Sequence, residues 1–172
     1  MSRSLAKWDR RIERANELAA AHPFAAEALR FYARIASFQK SLYAGLESVP
    51  GSLRDGLELS ILLPCFAPFL SLIEDAAPPP LAQSAAELSA GRDRWGQVLE
   101  EFWRGDKTLT AAETLLSWTF LQPYAEHLAD HTEQAATQAA PPLCPHCSGR
   151  PQVGVLRQQG DGAKRSLICS LC

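Results

Sequence analysis

The sequence lacks the short motifs by which many enzymes are recognised. It contains no glycine-rich phosphate loop, no Gly-x-Ser-x-Gly nucleophile motif and no His-Glu-x-x-His metal motif. Its acidic residues are scattered at helix-surface spacing, which predicts a solvated face. The net charge is only −2, so no overall field favours nucleic acid or an acidic membrane. These absences leave no catalytic constellation to assign from the residues.

The sequence also lacks the patterns of an exported or membrane-spanning protein. The first 20 residues carry charges throughout and contain no apolar signal-peptide region. The longest apolar run, around residues 61–73, is short and contains two prolines, which argues against membrane insertion. The five cysteines are odd in number, and four of them lie in two close pairs. This arrangement argues against a disulfide framework and for a reducing compartment. We therefore expect a cytoplasmic protein.

Apolar residues recur every three or four positions through residues 1–138, which predicts an all-helical domain. Helices are expected over residues 4–20, 24–47, 57–73, 81–90, 92–104 and 110–128. Residues 49–51 are a predicted turn, residues 52–55 a predicted helix N-cap, and residues 132–142 a fraying helix end and linker.

Several residues in this domain carry specific expectations. The helix over 57–73 is predicted to be the most buried, and broken or kinked at Pro64 and Pro68. Pro123 is predicted to kink the last helix, which opens on the capping box Thr110-Ala-Ala-Glu113. Cys65 is interpreted as a small buried apolar residue. The helix over 24–47 has an apolar stripe, predicted to be packing core, that consists of Phe24, Ala28, Phe31, Ile35, Phe38 and Leu42.

Residues 139–172 differ from the helical domain, because they contain two Cys-x-x-Cys pairs. Cys144-Pro-His-Cys147 and Cys169-Ser-Leu-Cys172 are separated by 21 residues. Two such turns facing each other bring four thiolates into a tetrahedral metal site. Short apolar runs on either side of Gly160-Asp161-Gly162 predict a β-hairpin between the pairs. The predicted fold is therefore mainly α, with a small rubredoxin- or zinc-ribbon-like knuckle unit over residues 139–172.

The ligand set does not choose the metal, since four sulfurs suit zinc and iron alike. Without a histidine or carboxylate ligand, a hydrolytic metal is not expected. A divalent ion with four thiolates has a net charge of −2, and residues 141–172 carry a net charge of +3 that offsets it. The charged residues of that segment are Arg150, Arg157, Lys164 and Arg165 against Asp161.

Three histidines lie near the cysteines in sequence. His127 and His131, four residues apart on a helix, could join Cys144 and Cys147 in a mixed site. The favoured interpretation is a solvent-facing pair at a polar helix end. His146 lies between two predicted ligands, and we expect it to be a surface or partner-contact residue.

The helical body and the cysteine motifs together resemble the formate dehydrogenase accessory (formation) protein family. The resemblance rests on Cys144-Pro-His-Cys147-Ser-Gly-Arg-Pro151, the hairpin and Arg165-Ser-Leu-Ile-Cys169-Ser-Leu-Cys172. Residues 20–39, with His-Pro-Phe and Phe-Tyr-Ala-Arg-Ile-Ala-Ser-Phe-Gln, are similar to the first helices of that family. The resemblance covers essentially the whole chain.

The resemblance implies a cytoplasmic maturation factor that is not itself an enzyme. Such proteins bind the catalytic subunit of a molybdenum- or tungsten-dependent formate dehydrogenase before it is exported or becomes active. The resemblance implies that iron binds in a rubredoxin-like centre, and that its ligands are Cys144, Cys147, Cys169 and Cys172. Family members continue with further Cys-x-x-Cys motifs, so it also implies that this chain is a fragment without a second metal unit.

Two alternatives remain open from the residues. A zinc-ribbon adaptor that binds nucleic acid or another protein is favoured by the net positive charge of residues 141–172. The acidic body and the absence of aromatic residues in the ribbon argue against nucleic acid, which is not an expected partner. A redox enzyme that uses one pair as a dithiol is disfavoured, because two pairs favour metal and no thioredoxin-like βαβ pattern surrounds them.

Overall fold

The computed structural model describes residues 3–48, 57–131, 143–144, 147 and 149–172. The predictions for residues 49–51, 52–55 and 132–142, and for His146, lie outside the described residues.

Within these residues the fold is mainly α, as predicted, with a small C-terminal antiparallel hairpin. Short 3-10 turns at Pro23–Ala25 and Arg92–Arg94 lead into the second and fifth helices. The elements are α1 (Arg3–Ala21), α2 (Ala26–Glu47), α3 (Leu59–Ala76), α4 (Pro79–Ala90), α5 (Trp95–Arg104), α6 (Ala111–His131), β1 (Pro151–Gln159) and β2 (Gly162–Cys169).

The helix ends follow from local sequence. Gly105 terminates α5 with a φ of 79°, a left-handed conformation that glycine adopts readily. The predicted capping box precedes α6, and its two hydrogen bonds are present. The Thr110 amide donates to Glu113 Oε2 at 2.9 Å, and the Glu113 amide donates to Thr110 Oγ1 at 3.1 Å. The capping box is therefore confirmed.

Helix α3 differs from its prediction in two ways. It runs as one helix through Pro64 and Pro68, so it is not broken at either proline, and the alternative of a kink stays a prediction. It is also not the most buried helix, since five of its 18 residues are buried, against 11 of 21 in α6. The reason is position, because α6 packs against α2, α4 and α5 and so lies at the centre of the body.

Helix α3 is the one helix in the described ranges long and apolar enough to cross a membrane, with a mean hydropathy of 1.5 over Leu59–Ala76. Core helices meet the same criterion, and α3 contributes Phe66, Phe69 and Leu70 to the core. Its composition alone is therefore a weak indication of a membrane span.

The centre of the core is a group of aromatic rings around Phe120 of α6. Its ring centroid lies 4.7 Å from that of Phe66 and 5.4 Å from that of Phe69. Phe38 of the predicted stripe packs on the same group, 5.5 Å from Phe69. Phe24 is 91% exposed, so its assignment to the core is wrong. It lies in the 3-10 turn before α2 begins and is therefore out of register with the buried face of that helix.

Cys65 and Ala28 also differ from their predicted burial. Cys65 is half-buried at the edge of the core rather than fully enclosed. Burial nevertheless raises the pKa of its thiol. Ala28 is exposed, because the buried face of α2 runs through Ala33, Ala36 and Leu42.

A charged cluster connects α1 to α6. Glu126 is only 3% exposed and accepts salt bridges from Lys7 at 2.9 Å and Arg11 at 2.8 Å. Asp130, one turn further along α6, contacts Lys7 Nζ at 2.7 Å and accepts a hydrogen bond of 2.7 Å from the Tyr43 hydroxyl. The solvated-face prediction is therefore wrong for Glu126. Lys7 and Arg11, more than a hundred residues away in sequence, offset the free-energy cost of burying the Glu126 carboxylate.

The Asp130 carboxylate is expected to make stability depend on pH. Burial opposes ionisation, but hydrogen bonds from Lys7 and Tyr43 and the Lys7 charge hold the pKa of Asp130 below its ordinary value. A depressed folded-state pKa gives stability that is fully present above about pH 4 and is lost as the pH falls through the folded-state value. The Tm difference between the wild type and Asp130→Asn should therefore shrink below about pH 4. Thermal denaturation across this range tests this, and a pH-independent difference would contradict it.

Candidate metal centre

The structure brings the four cysteines of the two Cys-x-x-Cys pairs together at the base of the hairpin. Their Sγ atoms all lie within 4.8 Å of one another. Two separations across the pairs are 3.4 Å, Cys144 to Cys172 and Cys147 to Cys169. A tetrahedral ion with metal–sulfur bonds of about 2.3 Å places its sulfurs about 3.8 Å apart. The donor set and its dimensions therefore fit a four-thiolate metal ion.

The hairpin brings the two pairs into contact. Strand β1 begins at Pro151, shortly after the first pair, and Pro151 lies opposite Cys169, the first cysteine of the second pair. The Cys144 amide donates to the Gly149 carbonyl at 2.8 Å, and the Ser170 amide donates to the Arg150 carbonyl at 2.9 Å. The chain connecting the pairs is thus a closed loop that starts and ends at the sulfurs.

Gly149 allows the backbone to pass close to the cluster. A Cβ atom at this position would lie 2.9 Å from Cys169 Sγ and 3.2 Å from Cys147 Sγ, which is too close. The Leu171 amide donates to Cys169 Sγ at 3.3 Å, and this hydrogen bond favours negative charge on the sulfur. Close backbone approach and an N–H donor are both properties of a thiolate metal site.

Burial and mutual hydrogen bonds shift the pKa values of three of the four thiols. The hydrogen bond from Cys172, followed by the Gly149 amide and the other thiols, holds the pKa of Cys147 well below its ordinary value despite burial. The hydrogen bond to Cys147 and burial raise the pKa of Cys172, and burial raises the pKa of Cys169. A divalent cation at the cluster would stabilise all four sulfurs in the anionic form.

The cysteine cluster packs directly on the helical body. Cys147 and Leu171 are buried against Ala125 of α6. The Trp118 indole N–H donates to the Ser170 carbonyl, between Cys169 and Cys172, at 2.9 Å. Trp103 of α5 also packs against the cluster. Periodicity does not show what a buried helix face contacts, so the sequence alone does not connect Trp103 and Trp118 to the cysteines.

The histidines of α6 are not among the described residues that form the cluster. His127 is 7% exposed and lies against Tyr43, with ring centroids 5.5 Å apart. The solvent-facing interpretation is therefore wrong for His127, although His131 is exposed. Burial, then the charge of His131, lowers the pKa of His127. Residues 125 and 127 are two apart on a helix and point in different directions, so the face with Ala125 meets the sulfurs and His127 does not.

Comparisons with known proteins do not assign this site to a family. No family model matches the chain, and no curated protein and no solved structure matches it either. What the geometry establishes is a cluster of four cysteines that could hold a metal ion, in a zinc-ribbon-like unit that follows a helical body.

Adding one methyl group at Gly149 is expected to weaken metal binding. Gly149→Ala forces a Cβ atom against two sulfurs, and overpacking of this kind typically costs about 1–3 kcal/mol. We expect metal affinity to fall by about tenfold or more, measured by competition with a chelator of known affinity. Gly154→Ala is the matched control, because no atom lies within 4 Å of its added Cβ. Equal affinities for the two variants would contradict the close approach at Gly149.

Proposed function

We propose that this chain is a cytoplasmic accessory protein that binds the catalytic subunit of a molybdenum- or tungsten-dependent formate dehydrogenase and supports its activation. It acts by binding and not as an enzyme. The proposal is supported by one observation, the closed four-cysteine cluster packed on α6 through Ala125 and Trp118. A helical body joined to such a cluster is the combination on which the resemblance to the formate dehydrogenase accessory family rests.

We propose iron as the resident metal, with zinc as the alternative. Four thiolates accept either ion, which is structural if it is zinc and able to change its charge by one electron if it is iron. The protein's own contribution is to hold the sulfurs and to limit water. Cys147 is only 7% exposed and Leu171 only 6% exposed, so one side of the cluster is shielded by α6.

A zinc-ribbon adaptor is the second candidate, and the charge of the hairpin favours it. Arg157, Lys164 and Arg165 lie on the exposed strands. Both strands lack aromatic residues, on which single-stranded bases would stack. A protein partner is therefore favoured over nucleic acid for this candidate also.

Complex formation with the formate dehydrogenase catalytic subunit from the same genome tests the proposal. The metal-loaded chain should co-elute with the catalytic subunit on size exclusion, and Cys147→Ser should weaken the complex if the cluster supports the binding surface. Failure of the wild-type chain to bind the subunit would contradict the formate dehydrogenase assignment. The zinc-ribbon adaptor would then be the favoured function.

Elemental analysis of protein purified without oxygen tests the metal. About one iron per chain, together with visible thiolate-to-iron absorption after oxidation to the ferric state, supports the proposed centre. About one zinc per chain in a colourless protein supports the structural alternative.

A further inference from the structure

The hairpin exposes apolar side chains on both of its faces. Val153 is 50% exposed, Leu156 67%, Leu167 71% and Ile168 44%. These four make up half of the exposed large apolar residues in the part of the chain that the structure describes. Beyond the cysteines the two strands pack mainly on each other, and neither packs extensively on a described helix. A small protein surface with this apolar density is typical of an interaction site.

The edges of the hairpin are also open. Among the described residues the sheet has two strands, so β1 and β2 each have one unpaired edge. Such an edge presents a row of free backbone N–H and C=O groups that can pair with another strand. A two-stranded sheet is only marginally stable in water, and a third strand would stabilise it.

The charges on the strands indicate which kind of strand would fit. Arg157 lies directly opposite Lys164, and Arg165 follows Lys164 on β2. Like charges opposite each other are destabilising, and within the described residues none of the three forms a salt bridge. Towards the cysteines the surface becomes apolar, where Val153 lies opposite Ile168. The hairpin thus combines unbalanced positive charge with apolar surface along an open edge.

We propose that the open edge of β2 binds an acidic, extended segment of a protein partner as a third β-strand. Backbone hydrogen bonds would hold the segment, its apolar side chains would cover Leu167 and Ile168, and its carboxylates would neutralise Lys164 and Arg165. We place it on β2 because this strand carries two of the three cations. A second copy of the hairpin would bring like charges together, which disfavours self-pairing. The identity of the partner rests on the proposed function, in which the segment belongs to the formate dehydrogenase catalytic subunit.

The charge-reversing variant Lys164→Glu/Arg165→Glu tests the surface on the full, metal-loaded chain. It places a glutamate opposite Arg157, which stabilises the hairpin, so lost binding cannot come from a lost hairpin. The control is Arg30→Glu/Arg34→Glu on the exposed side of α2, which changes the net charge equally. The probe is a synthetic peptide that matches β2 in length and carries consecutive glutamates in one half and consecutive valines in the other, so that both faces of the strand present each kind of side chain. The same peptide with lysines in place of the glutamates is the control peptide.

We expect the acidic peptide to bind and to slow hydrogen exchange at alternate β2 amides. The β2 variant should weaken this binding by about tenfold or more, while the α2 variant should leave it unchanged. The inference is overturned if the acidic peptide does not bind, if both variants weaken it equally, or if a single-stranded RNA binds the hairpin more tightly than the peptide.

Titration with the catalytic subunit separates this inference from the proposed function. If the subunit binds the wild type and the β2 variant equally, β2 is not the docking edge and the inference is overturned, while the proposed function stands. If the subunit binds neither and the acidic peptide still binds as expected, the formate dehydrogenase assignment fails and the β2 surface stands.

Discussion

Replacement of Cys147 by serine is expected to abolish tight metal binding while the helical body stays folded. Cys147 is the most buried of the four cysteines. The serine hydroxyl that replaces its thiol is a poor ligand for a thiophilic ion. Structural zinc sites of this type bind with about 10–16 kcal/mol, and that free energy also stabilises the fold of the unit. Metal content should therefore fall from about one ion per chain to near zero, measured by elemental analysis after dialysis.

The helical body should stay folded because its core is built without the four clustered cysteines. The aromatic core around Phe120 contains none of the four clustered cysteines, which contact the body at Ala125, and Phe102 and Trp103 pack against both groups. Far-ultraviolet circular dichroism should keep its helical signal, while amide exchange should become fast in β1 and β2. Cys65→Ser is the control and should keep its metal. Loss of the helical signal in Cys147→Ser would show that residues 1–138 and 139–172 do not fold as two parts.

Replacement of Phe120 by alanine is expected to destabilise the body by about 3–5 kcal/mol. Phe120 is fully buried and contacts Phe66 and Phe69, so its removal leaves a cavity among aromatic rings that cannot close. Since small domains are stable by only about 5–15 kcal/mol, the variant should unfold at a much lower urea concentration.

Phe24→Ala is the matched control for this prediction. The same aromatic ring is removed, but from a position that is 91% exposed. Its free energy of unfolding should stay within about 0.5 kcal/mol of the wild type. Equal urea midpoints for the two alanine variants would show that Phe120 does not organise the core.

The contrast between Phe120 and Phe24 shows which parts of the fold can be predicted from the sequence. Apolar spacing predicts the helices and which side of each is apolar, and it places Phe38 correctly on the core. It does not locate the start of a helix to the residue, and at Phe24 that start decides between burial and exposure. The same spacing cannot rank helices by burial, because α6 becomes central through its neighbours and not through its own hydrophobicity.

Local sequence patterns also do not predict ion pairs between residues that are distant in sequence. Glu126 resembles any surface glutamate in its own helix, and the two cations that pair with it, Lys7 and Arg11, are far away in sequence. The cysteine site is different, because Cys-x-x-Cys spacing and the Gly160 turn already constrain four sulfurs and a hairpin. The ligand roles of those cysteines, the boundary near residue 138, the partner and the cytoplasmic location stay predictions.

The packing of Trp103 and Trp118 against the cysteine cluster has an optical consequence. A thiolate-bound ferric ion absorbs light in the range where tryptophan emits, and zinc does not. The two indoles packed against the cluster therefore act as a built-in fluorescent sensor that distinguishes bound ferric iron from bound zinc. Trp8 and Trp95, which are not among the residues packed against the cluster, supply the remaining tryptophan emission.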